Sequence, residues 1–379
     1  MEYPMTPEQK DLQVMVKDFV KKKLPWEVVR AYDLAGEVPM DIVKLAADMG
    51  LTTLTVPERF GGVGQNQLTA AIVTEELAYG DAGFATTMGA SELAITPVLL
   101  FGSDEQKRYV TDFLLAGKLA AFGLTEAEAG SDAGACKTKA RKVGDEYVIN
   151  GTKSFITNGA IADVYTIFAV TDPTKGAKGI SAFIVERDRK GFSVGKDEDK
   201  MGIRLSNTTE LILEDVHIPQ KNLIGEEGLG FKYAMMTLDR TRPASCAACC
   251  GICQSAIDQS IAYAKIRKTF GRPIITNQAI QFMLADMEIQ TQAARALVWH
   301  SARMIDSGVA DSMLGACAKT FGGDTAVKVA LDAIQIFGGN GYSREYPVEI
   351  LLRNAKIYQI FEGTNQVQRM IIGGTLARR

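Results

Sequence analysis

The sequence predicts an α+β multidomain protein with an N-terminal α-helical domain, a middle antiparallel β-barrel or sandwich domain, and a C-terminal four-helix bundle. Three observations predict this class. The chain has 379 residues, which is too long for one small core and indicates two or three packed domains. Apolar residues recur at helical spacing towards both ends of the chain, whereas the middle alternates apolar and polar residues as strands do. The expected domains are residues 1–119, 120–227 and 228–379.

The first third is predicted to be helical. Leu12, Val16 and Phe19 recur at helical spacing, and residues 67–79 form a long run with the same period. The segment "PERFGGVG" at residues 57–64 is predicted to be a loop, because proline and glycine interrupt regular structure.

The middle of the chain changes period at about Ala120. Its strand-like segments are rich in β-branched and aromatic residues and are separated by Gly, Asp and Pro. They span residues 146–159, 164–170, 179–186 and 209–218. No helical crossover separates these segments, so antiparallel pairing is favoured over a parallel sheet.

After Gly228 the helical period returns. Two long alanine-rich segments at residues 231–268 and 277–307 are followed by a third at 311–337 and by a shorter helix from about Asn365. Long helices with short connections predict a bundle with up-and-down neighbours.

Composition limits the function classes. The net charge of −3 and the absence of an arginine-rich arm argue against a nucleic-acid partner. The N-terminus lacks the basic and apolar regions of a signal peptide, and no stretch approaches the length that spans a bilayer. We therefore expect a cytoplasmic protein without a membrane partner.

Four of the six cysteines crowd into the segment "CAACCGIC". Cys246, Cys249, Cys250 and Cys253 fall on one face of a single helix. Along a rigid helix that face spans about 10 Å, so the four sulfurs cannot surround one ion. We expect reduced thiols that pack as small apolar side chains, and no metal site.

Three segments are each compatible with ligand binding and also with a purely structural role. The segment "FGLTEAEAGSDAG" at residues 122–134 offers small residues and backbone N–H groups to an anion or a heteroaromatic ring, or simply connects two domains. The segment "FGGNGY" at 337–342 follows a helix, so it is not a dinucleotide-binding fingerprint; it either ends that helix or cradles a pyrophosphate. The segment "IRKTFGRPI" at 266–274 places cations beside an aromatic ring, which suits adenine and phosphates or an ordinary helix end.

The segment "YQIFEGTNQVQRM" at residues 358–370 places Glu362 just before a predicted helix start. Thr364 is predicted to cap that helix, and an acidic group near a helix N-terminus is stabilised by the helix dipole. Taken alone, this segment favours a structural role for Glu362 at the helix start.

Six segments in one order resemble the acyl-CoA dehydrogenase family over essentially the whole chain. They are "LTEAEAGSD" (124–132), "GTKSFITNG" (151–159), "LDRTRP" (238–243), "RKTFGRPI" (267–274), "QIFGGNGY" (335–342) and "EYPVEILLRNAKIYQIFEGT" (345–364). The resemblance implies the same order of helices, β domain and helices that periodicity predicts.

The resemblance implies that FAD lies between the middle domain and the C-terminal helices. Residues matching the family's contacts to the flavin are Phe122, Leu124, Thr125, Ser131, Phe155, Ile156, Thr157, Thr364 and Gln366. Residues matching contacts to adenine and pyrophosphate, which in the family come from a neighbouring subunit, are Arg267, Phe270, Gln278, Gln335, Gly338 and Gly339. Residues matching contacts to the CoA thioester are Ser131, Asp239, Arg242 and Gly363.

Glu362 matches the family's catalytic base. The implied reaction is the α,β-dehydrogenation of an acyl-CoA thioester to the trans-2-enoyl-CoA, in which Glu362 removes the α-proton while hydride leaves the β-carbon for flavin N5. The thioester oxygen would be held by the backbone N–H of Glu362 and by a ribityl hydroxyl of FAD. Apolar neighbours such as Phe361 should raise the pKa of the carboxyl. Some subfamilies carry the base at the position of Thr241, which cannot act as one, so Glu362 is the sole candidate.

The resemblance also implies an acyl-CoA substrate, an electron-transfer flavoprotein as acceptor, and a homotetramer built as a dimer of dimers. A short- or medium-chain acyl group is expected. Cyclic and aryl-propenoyl acyl groups, an acyl-CoA oxidase of the same fold, and a flavin-free scaffold are the alternatives. Phe361, where the family often has tyrosine, and the residues from Ser245 onwards depart from the family pattern in the acyl pocket. Residues 86–95 are expected to line the far end of that pocket, with Glu92 at the surface rather than in the pocket.

Overall fold

The computed structural model describes residues 5–379, so the first four residues of the predicted N-terminal domain lie outside the described range. Helices make up the first third, as predicted. In chain order they are α1 (Pro7–Lys23), α2 (Trp26–Ala35), α3 (Met40–Asp48), α4 (Gln67–Gly80), α5 (Ala82–Phe101) and α6 (Asp104–Leu115). Capping boxes begin α1 and α6, where Thr6 and Ser103 each exchange hydrogen bonds with a glutamine three residues later.

Helix α5 is long and apolar enough, by length and composition, to cross a membrane. The expectation that no stretch approaches that length is therefore wrong. Most of the helix is buried inside the chain, with 61% of its most apolar window covered. Core helices of soluble proteins meet the same criterion, so this finding is weak evidence for a membrane span.

The middle of the chain forms a seven-stranded sheet. Its strands are β1 (Ala120–Gly123), β2 (Lys139–Val143), β3 (Glu146–Thr157), β4 (Val164–Val170), β5 (Ile180–Glu186), β6 (Phe192–Asp197) and β7 (Thr208–Pro219). The strand order is β1-β4-β2-β3-β7-β6, with β5 also paired to β4. The pairs β2–β3, β3–β7, β4–β5 and β6–β7 are antiparallel as predicted, whereas β4 runs parallel to β1 and, at one position, to β2. Strands β1, β2 and β6 escaped prediction because they are short or mostly exposed.

The last part of the chain is helical again. Its helices are α7 (Gly230–Ile266), α8 (Gln278–Asp306), α9 (Ser312–Phe337), α10 (Val348–Ile357) and α11 (Asn365–Leu376), and a small ribbon pairs β8 (Lys268–Thr269) with β9 (Arg272–Pro273). Helices α7, α8 and α9 pack against one another, and α10 and α11 pack on α9. The order of helices, β-rich middle and helices is thus confirmed. Helix α10 was not predicted, since a ten-residue helix gives a weak periodic signal.

Helix α4 packs against α7, so the first and last parts of the chain share a core. Gly251 makes this approach possible: a Cβ there would lie 2.2 Å from the carbonyl oxygen of Glu75. A residue without a side chain lets the two helix backbones come close. The four clustered cysteines of α7 are all buried and free, and they pack in the two core clusters that α7 shares with its neighbours.

Candidate active site

A cavity of about 550 Å³ lies between α5, the start of the middle domain, α7 and the segment leading into α11. Segments far apart in the sequence meet around it. The predicted site residues that line the cavity are Phe122, Leu124, Thr125, Ser131, Phe155, Ile156, Thr157, Arg242, Glu362 and Gly363.

Glu362 lies in the turn between α10 and α11, where two consecutive residues have left-handed backbones. The φ angle is +56° at Glu362 and +84° at Gly363. Residues with side chains rarely adopt this conformation, and it persists only where the surroundings hold it. The buried Nε2 of Gln368 donates to the carbonyl oxygens of Glu362 at 3.2 Å and of Gly363 at 3.3 Å. The first turn of α11 therefore fixes the direction in which the Glu362 side chain leaves the backbone.

The start of α11 is fastened to α9 through Asn365. The backbone N–H of Asn365 donates to the carbonyl oxygen of Gln359 at 3.0 Å. Its side-chain oxygen accepts from the buried ammonium of Lys319 at 2.8 Å, and its Nδ2 donates to the Thr320 carbonyl oxygen at 3.2 Å and to the Asp324 carboxylate at 2.8 Å. These hydrogen bonds hold the turn between α10 and α11 in place, to the residues before it and to α9.

Thr364 caps α11 as predicted, because its hydroxyl accepts from the backbone N–H of Val367 at 3.1 Å. The carboxylate of Glu362 is not part of this cap. Its Oε2 is enclosed and has no hydrogen-bond partner within residues 5–379. The structural role that the isolated segment favoured for Glu362 is therefore filled by Thr364.

The electrostatic setting of Glu362 combines burial with two nearby cations. Burial raises the pKa of the Glu362 carboxyl, and the charges of Arg242 and Lys319 oppose that rise. Burial also lowers the pKa of the Lys319 ammonium. An enclosed carboxylate with a raised pKa and no donor on one oxygen is suited to accept a proton from a bound molecule.

Arg242 is buried in the cavity wall beside Asp239. Its Nη1 donates to Asp239 Oδ1 at 2.6 Å, and the hydroxyl of Ser312 donates to Asp239 Oδ2. Arg242 Nε is enclosed without a partner among the described residues. Asp239 does not line the cavity itself but holds the arginine that does. Thr241, one residue earlier, points its hydroxyl at the Thr237 carbonyl oxygen of its own helix at 3.1 Å.

Phe155 presents an aromatic ring to the cavity from a strained position in β3. The pairing of β3 with β7 shifts register between Lys153 and Ile156, and within this irregularity Phe155 has a φ of +56° and 64% of its surface exposed. Such irregularities re-aim side chains. An exposed phenylalanine held in a strained backbone beside a cavity suits the face of a flat ring.

The loop between β1 and β2 is held against β3 by a buried ion pair. Lys153, which is 0% exposed, donates to Glu126 Oε1 at 2.7 Å. Glu126 also accepts from the backbone N–H groups of Lys137 at 2.7 Å and Thr138 at 3.0 Å. Burial alone would raise the pKa of Glu126, but Lys153 and the hydrogen bonds from Thr138 and Cys136 lower it to about 2. The loop that carries Leu124 and its neighbours is thus anchored by charge.

A second group of predicted residues lies outside the cavity. Its exposed members are Arg267, Phe270, Gln278, Gln335, Gly338, Gly339 and Gln366, and Thr364 is half-buried. Arg267 and Gln335 lie near the ends of α7 and α9, which meet because Tyr263 stacks on Phe337 with ring centroids 4.1 Å apart. The resemblance assigns most of this group to a neighbouring subunit, so one chain does not bring it to its own cavity.

Glu92 corrects an expectation. It was expected at the surface, but it lines the cavity and accepts a hydrogen bond from the Thr55 hydroxyl at 2.9 Å. Gln67 Nε2 donates to the same oxygen at 3.5 Å. Partners from two other segments of the first third make this placement possible, which no local pattern around Glu92 reveals.

Within residues 5–379, no group of three or more His, Cys, Asp or Glu side chains is placed to hold a metal ion. Burial raises the pKa of Cys246 and of Cys253 to about 12. Thiols with such pKa values stay protonated and unreactive near neutral pH.

Sequence reasoning missed four residues that position the site: Lys153, Lys319, Asn365 and Gln368. The sequence gives an indication for two of them. Lys153 is a charged residue in a strand-like segment, and Lys319 is a charged residue in an alanine-rich helical segment. A lysine at such a position is buried only with a partner. Asn365 and Gln368 follow the predicted cap and give no comparable signal.

Family models cover nearly the whole chain. The "Acyl-CoA dehydrogenase, N-terminal domain" model matches residues 6–118, the "middle domain" model matches 121–216 and the "C-terminal domain" model matches 228–377.

Individual proteins agree with these models. An acyl-CoA dehydrogenase of Bacillus subtilis (strain 168) is 43% identical over 98% of this chain and 100% of its own length. The structure of butyryl-CoA dehydrogenase from Megasphaera elsdenii is 44% identical, with a TM-score of 0.97 and full coverage of both chains. A chain in a structure described as the electron transferring flavoprotein of Acidaminococcus fermentans, reported in connection with flavin-based electron bifurcation, is 43% identical, with the same TM-score and full coverage of both chains.

Proposed function

The chain belongs to the acyl-CoA dehydrogenase family of FAD-dependent oxidoreductases, and we propose that Glu362 is the base that removes the α-proton of an acyl-CoA thioester in the cavity described above. The observation that carries the proposal is the carboxylate itself: Oε2 of Glu362 is enclosed in the cavity wall and accepts no hydrogen bond from residues 5–379. A base for a weak carbon acid needs a free lone pair and a water-poor setting.

The residues around the cavity fit a flavin. Phe155 offers an exposed ring on a strained backbone. At Gly130 a Cβ would meet no atom within 4 Å, so space is open beside the loop that matches the family's flavin contacts. Small residues and free backbone groups suit the polar edge of a heteroaromatic ring. When bound, FAD supplies the acceptor for the hydrogen and electrons that leave the β-carbon.

Glu362 contributes more than its carboxylate. Its backbone N–H donates no hydrogen bond within the described residues, so it is free to bind the thioester carbonyl oxygen. A donor fixed at that oxygen stabilises the negative charge that develops when the α-proton is removed. Gln368 and Asn365 hold the turn that presents both groups, while Tyr358 and Phe361 exclude water from it.

The charges of Arg242 and Lys319 affect the pKa of Glu362. Burial raises the pKa of the Glu362 carboxyl, and the charges of Arg242 and Lys319 oppose that rise. The two cations limit that effect and keep the carboxylate able to accept a proton. Once the carboxylate has accepted the proton it is neutral, and burial does not disfavour a neutral carboxyl group. Burial of Glu362 therefore favours the proton transfer.

The proposed substrate is a short- or medium-chain acyl-CoA, and the product is the corresponding trans-2-enoyl-CoA. The full-length likeness to butyryl-CoA dehydrogenase of Megasphaera elsdenii supports this range. Turnover of linear, branched, cyclic and aromatic acyl-CoAs tests it. A protein that turns over only cyclic or aromatic esters would contradict the proposed range.

The proposed acceptor is an electron-transfer flavoprotein, supported by the likeness to a chain in the Acidaminococcus fermentans flavoprotein structure. An acyl-CoA oxidase of the same fold would use oxygen instead. The test is to add air to the substrate-reduced protein and follow flavin absorbance and peroxide. Slow reoxidation is expected, and rapid reoxidation with peroxide would favour the oxidase.

The Glu362→Gln variant tests the base. It should retain yellow flavin and bind CoA esters, because glutamine keeps the shape of the side chain. It should lose substrate-dependent bleaching of the flavin by at least about 10³-fold, since an amide cannot accept the α-proton. Bleaching at the wild-type rate would show that Glu362 is not the base.

A further inference from the structure

Glu92 is the single charged residue in α5, whose sequence is otherwise apolar or neutral. It lines the same cavity as Glu362, with Leu93 and Gly89 beside it on the helix. Glu92 is half-buried in this wall, and a bound hydrocarbon chain that covered its carboxylate without supplying a partner would cost free energy. The position of Glu92 therefore calls for a partner.

The protein satisfies only one side of this carboxylate. Thr55 and Gln67 both donate to Oε1, the second at the long distance of 3.5 Å. Oε2 accepts no hydrogen bond from residues 5–379. Arg240 acts on Glu92 through its charge and makes no hydrogen bond to it. Burial raises the pKa of Glu92, and these three residues oppose the rise.

The helical rise of α5 gives the distance between Glu92 and the end of the cavity that lies next to the Glu362 turn. The hydroxyl of Thr86 lies 3.3 Å from that of Tyr358, whose ring packs edge-on against Phe361, next to the catalytic turn. Six residues separate Thr86 from Glu92, which is about 9 Å along a helix axis. At Gly89, between them, a Cβ would meet no atom within 4 Å, so this stretch of wall is open.

We propose that Glu92 forms a subsite for the distal end of the acyl group and selects acyl groups that end in a hydrogen-bond donor, either a hydroxyl or an ammonium group. The inference rests on the proposed function and names the substrate class within it. An ionised carboxylate can only accept hydrogen bonds, and its second oxygen has none. An acyl group that ends in a carboxylate is repelled by like charge, and one that ends in a methyl group leaves Glu92 without its partner.

The test compares acyl-CoAs of equal length that differ only at the distal end: methyl, hydroxyl, ammonium and carboxylate, each at lengths from four to eight carbons. The wild type should prefer a hydroxyl- or ammonium-ended ester over the methyl-ended ester of the same length by about 10- to 100-fold in kcat/KM, because a site built around a hydrogen bond rejects analogues that lack it. The better of the two donor ends identifies the group.

Variants assign the preference to Glu92. Glu92→Leu should abolish the preference for donor-ended esters. Glu92→Gln keeps the shape of the side chain but not its charge, so it should reduce the preference for the ammonium end more than that for the hydroxyl end. Thr55→Val removes a donor to the other oxygen and should change the preference by less than about threefold. Calorimetric binding of the same esters to the Glu362→Gln variant gives the preference without turnover, and this readout holds if Glu92→Leu fails to fold.

Two results would overturn the inference: a wild type that favours methyl-ended esters at every length, or a preference that is unchanged in both Glu92 variants. In either case turnover of methyl-ended esters leaves the proposed function standing. If no acyl-CoA of any kind bleaches the flavin, the proposed function fails together with the subsite.

Discussion

At the scale of single residues, backbone strain coincides with several predicted ligand contacts. Phe155, Phe270 and Glu362 all have left-handed backbones, with φ between +50° and +56°. None is glycine or asparagine, which adopt this conformation at least cost. Strain of this kind survives where neighbouring contacts hold it, and Gln368 holds it at Glu362. The same conformation also occurs away from the cavity, at Asp215 for example, so strain supports a site but does not define one.

A prediction at this scale concerns the stability of Glu362→Gln. The pKa of Glu362 is raised in the folded chain, so folding favours its protonated form. That stabilisation is complete below the unfolded-state pKa, near the ordinary value of 4.5, and is lost as pH rises through the folded-state pKa. Above the folded-state pKa the wild type buries a charge that glutamine lacks, so in that pH range the variant should have the larger free energy of unfolding.

Urea unfolding of both proteins from mildly acidic to mildly alkaline pH measures this difference. The advantage of Glu362→Gln should shrink as the pH falls. Glu214→Gln, a change at an exposed strand position, is the control and should show no such trend. A pH-independent difference would contradict a raised pKa at Glu362.

At the scale of elements, the loop between β1 and β2 depends on β3. Lys153 reaches Glu126 across this junction, and Glu126 also accepts from two backbone N–H groups of the loop's far end. Leu124 and Cys136, towards the two ends of the loop, pack into the hydrophobic core. The buried ion pair adds a polar anchor between them, so we expect it to help position the predicted flavin contacts.

The Lys153→Met variant should lower the free energy of unfolding by about 3–5 kcal/mol, because it leaves a buried carboxylate without its counter-charge. Denaturant unfolding and the flavin content of the purified protein measure the effect. The matched control is Lys137→Met, which removes the lysine of an exposed pair with Glu128 in the same loop. No measurable change is expected there, and equal losses in the two variants would show that burial of the first pair is irrelevant.

At the scale of the whole molecule, the surface at the ends of α7 and α9 is unexplained by one chain. Phe270 is fully exposed on a strained backbone, with Arg267 and Gln278 exposed nearby. A large apolar side chain in this state indicates a partner surface. A homotetramer, in which these residues reach the adenine of FAD held mainly by a neighbouring subunit, is the arrangement we propose.

The Phe270→Ala variant tests this arrangement. It should weaken FAD retention by about 10-fold, the loss expected for one aromatic stacking contact, without lowering the stability of the apoprotein. Ultrafiltration of the yellow protein measures retention, and light scattering measures the assembly. Leu34→Ala, a change at a different exposed apolar residue, should leave both unchanged. A wild type that is monomeric yet retains FAD would contradict the proposal.

The sequence by itself determined the order of helices, β-rich middle and helices, because hydrophobic period is a local property that survives in any context. The family resemblance also predicted residues 122–131, 155–157 and 362–363 as site segments, and these line the cavity, whereas 267–274 and 335–342 do not. The residues themselves predicted that Thr364 begins α11. Sequence reasoning missed β1, β2 and β6, whose signals are weak. It also underestimated the length of the apolar helix α5, because the positions where that helix begins and ends were not recognised.

Tertiary structure decided what depends on residues distant in sequence. Glu92 was expected at the surface and lies in the cavity wall, because Thr55 and Gln67 come to it from other segments. Lys319 reaches Asn365 across 46 positions of the chain, and this contact holds the turn that presents Glu362. Hydrogen bonds and charges act over a few ångströms of space, whatever the separation along the chain, so only the folded arrangement decides which carboxylates are bound, which are enclosed and which stay free to react.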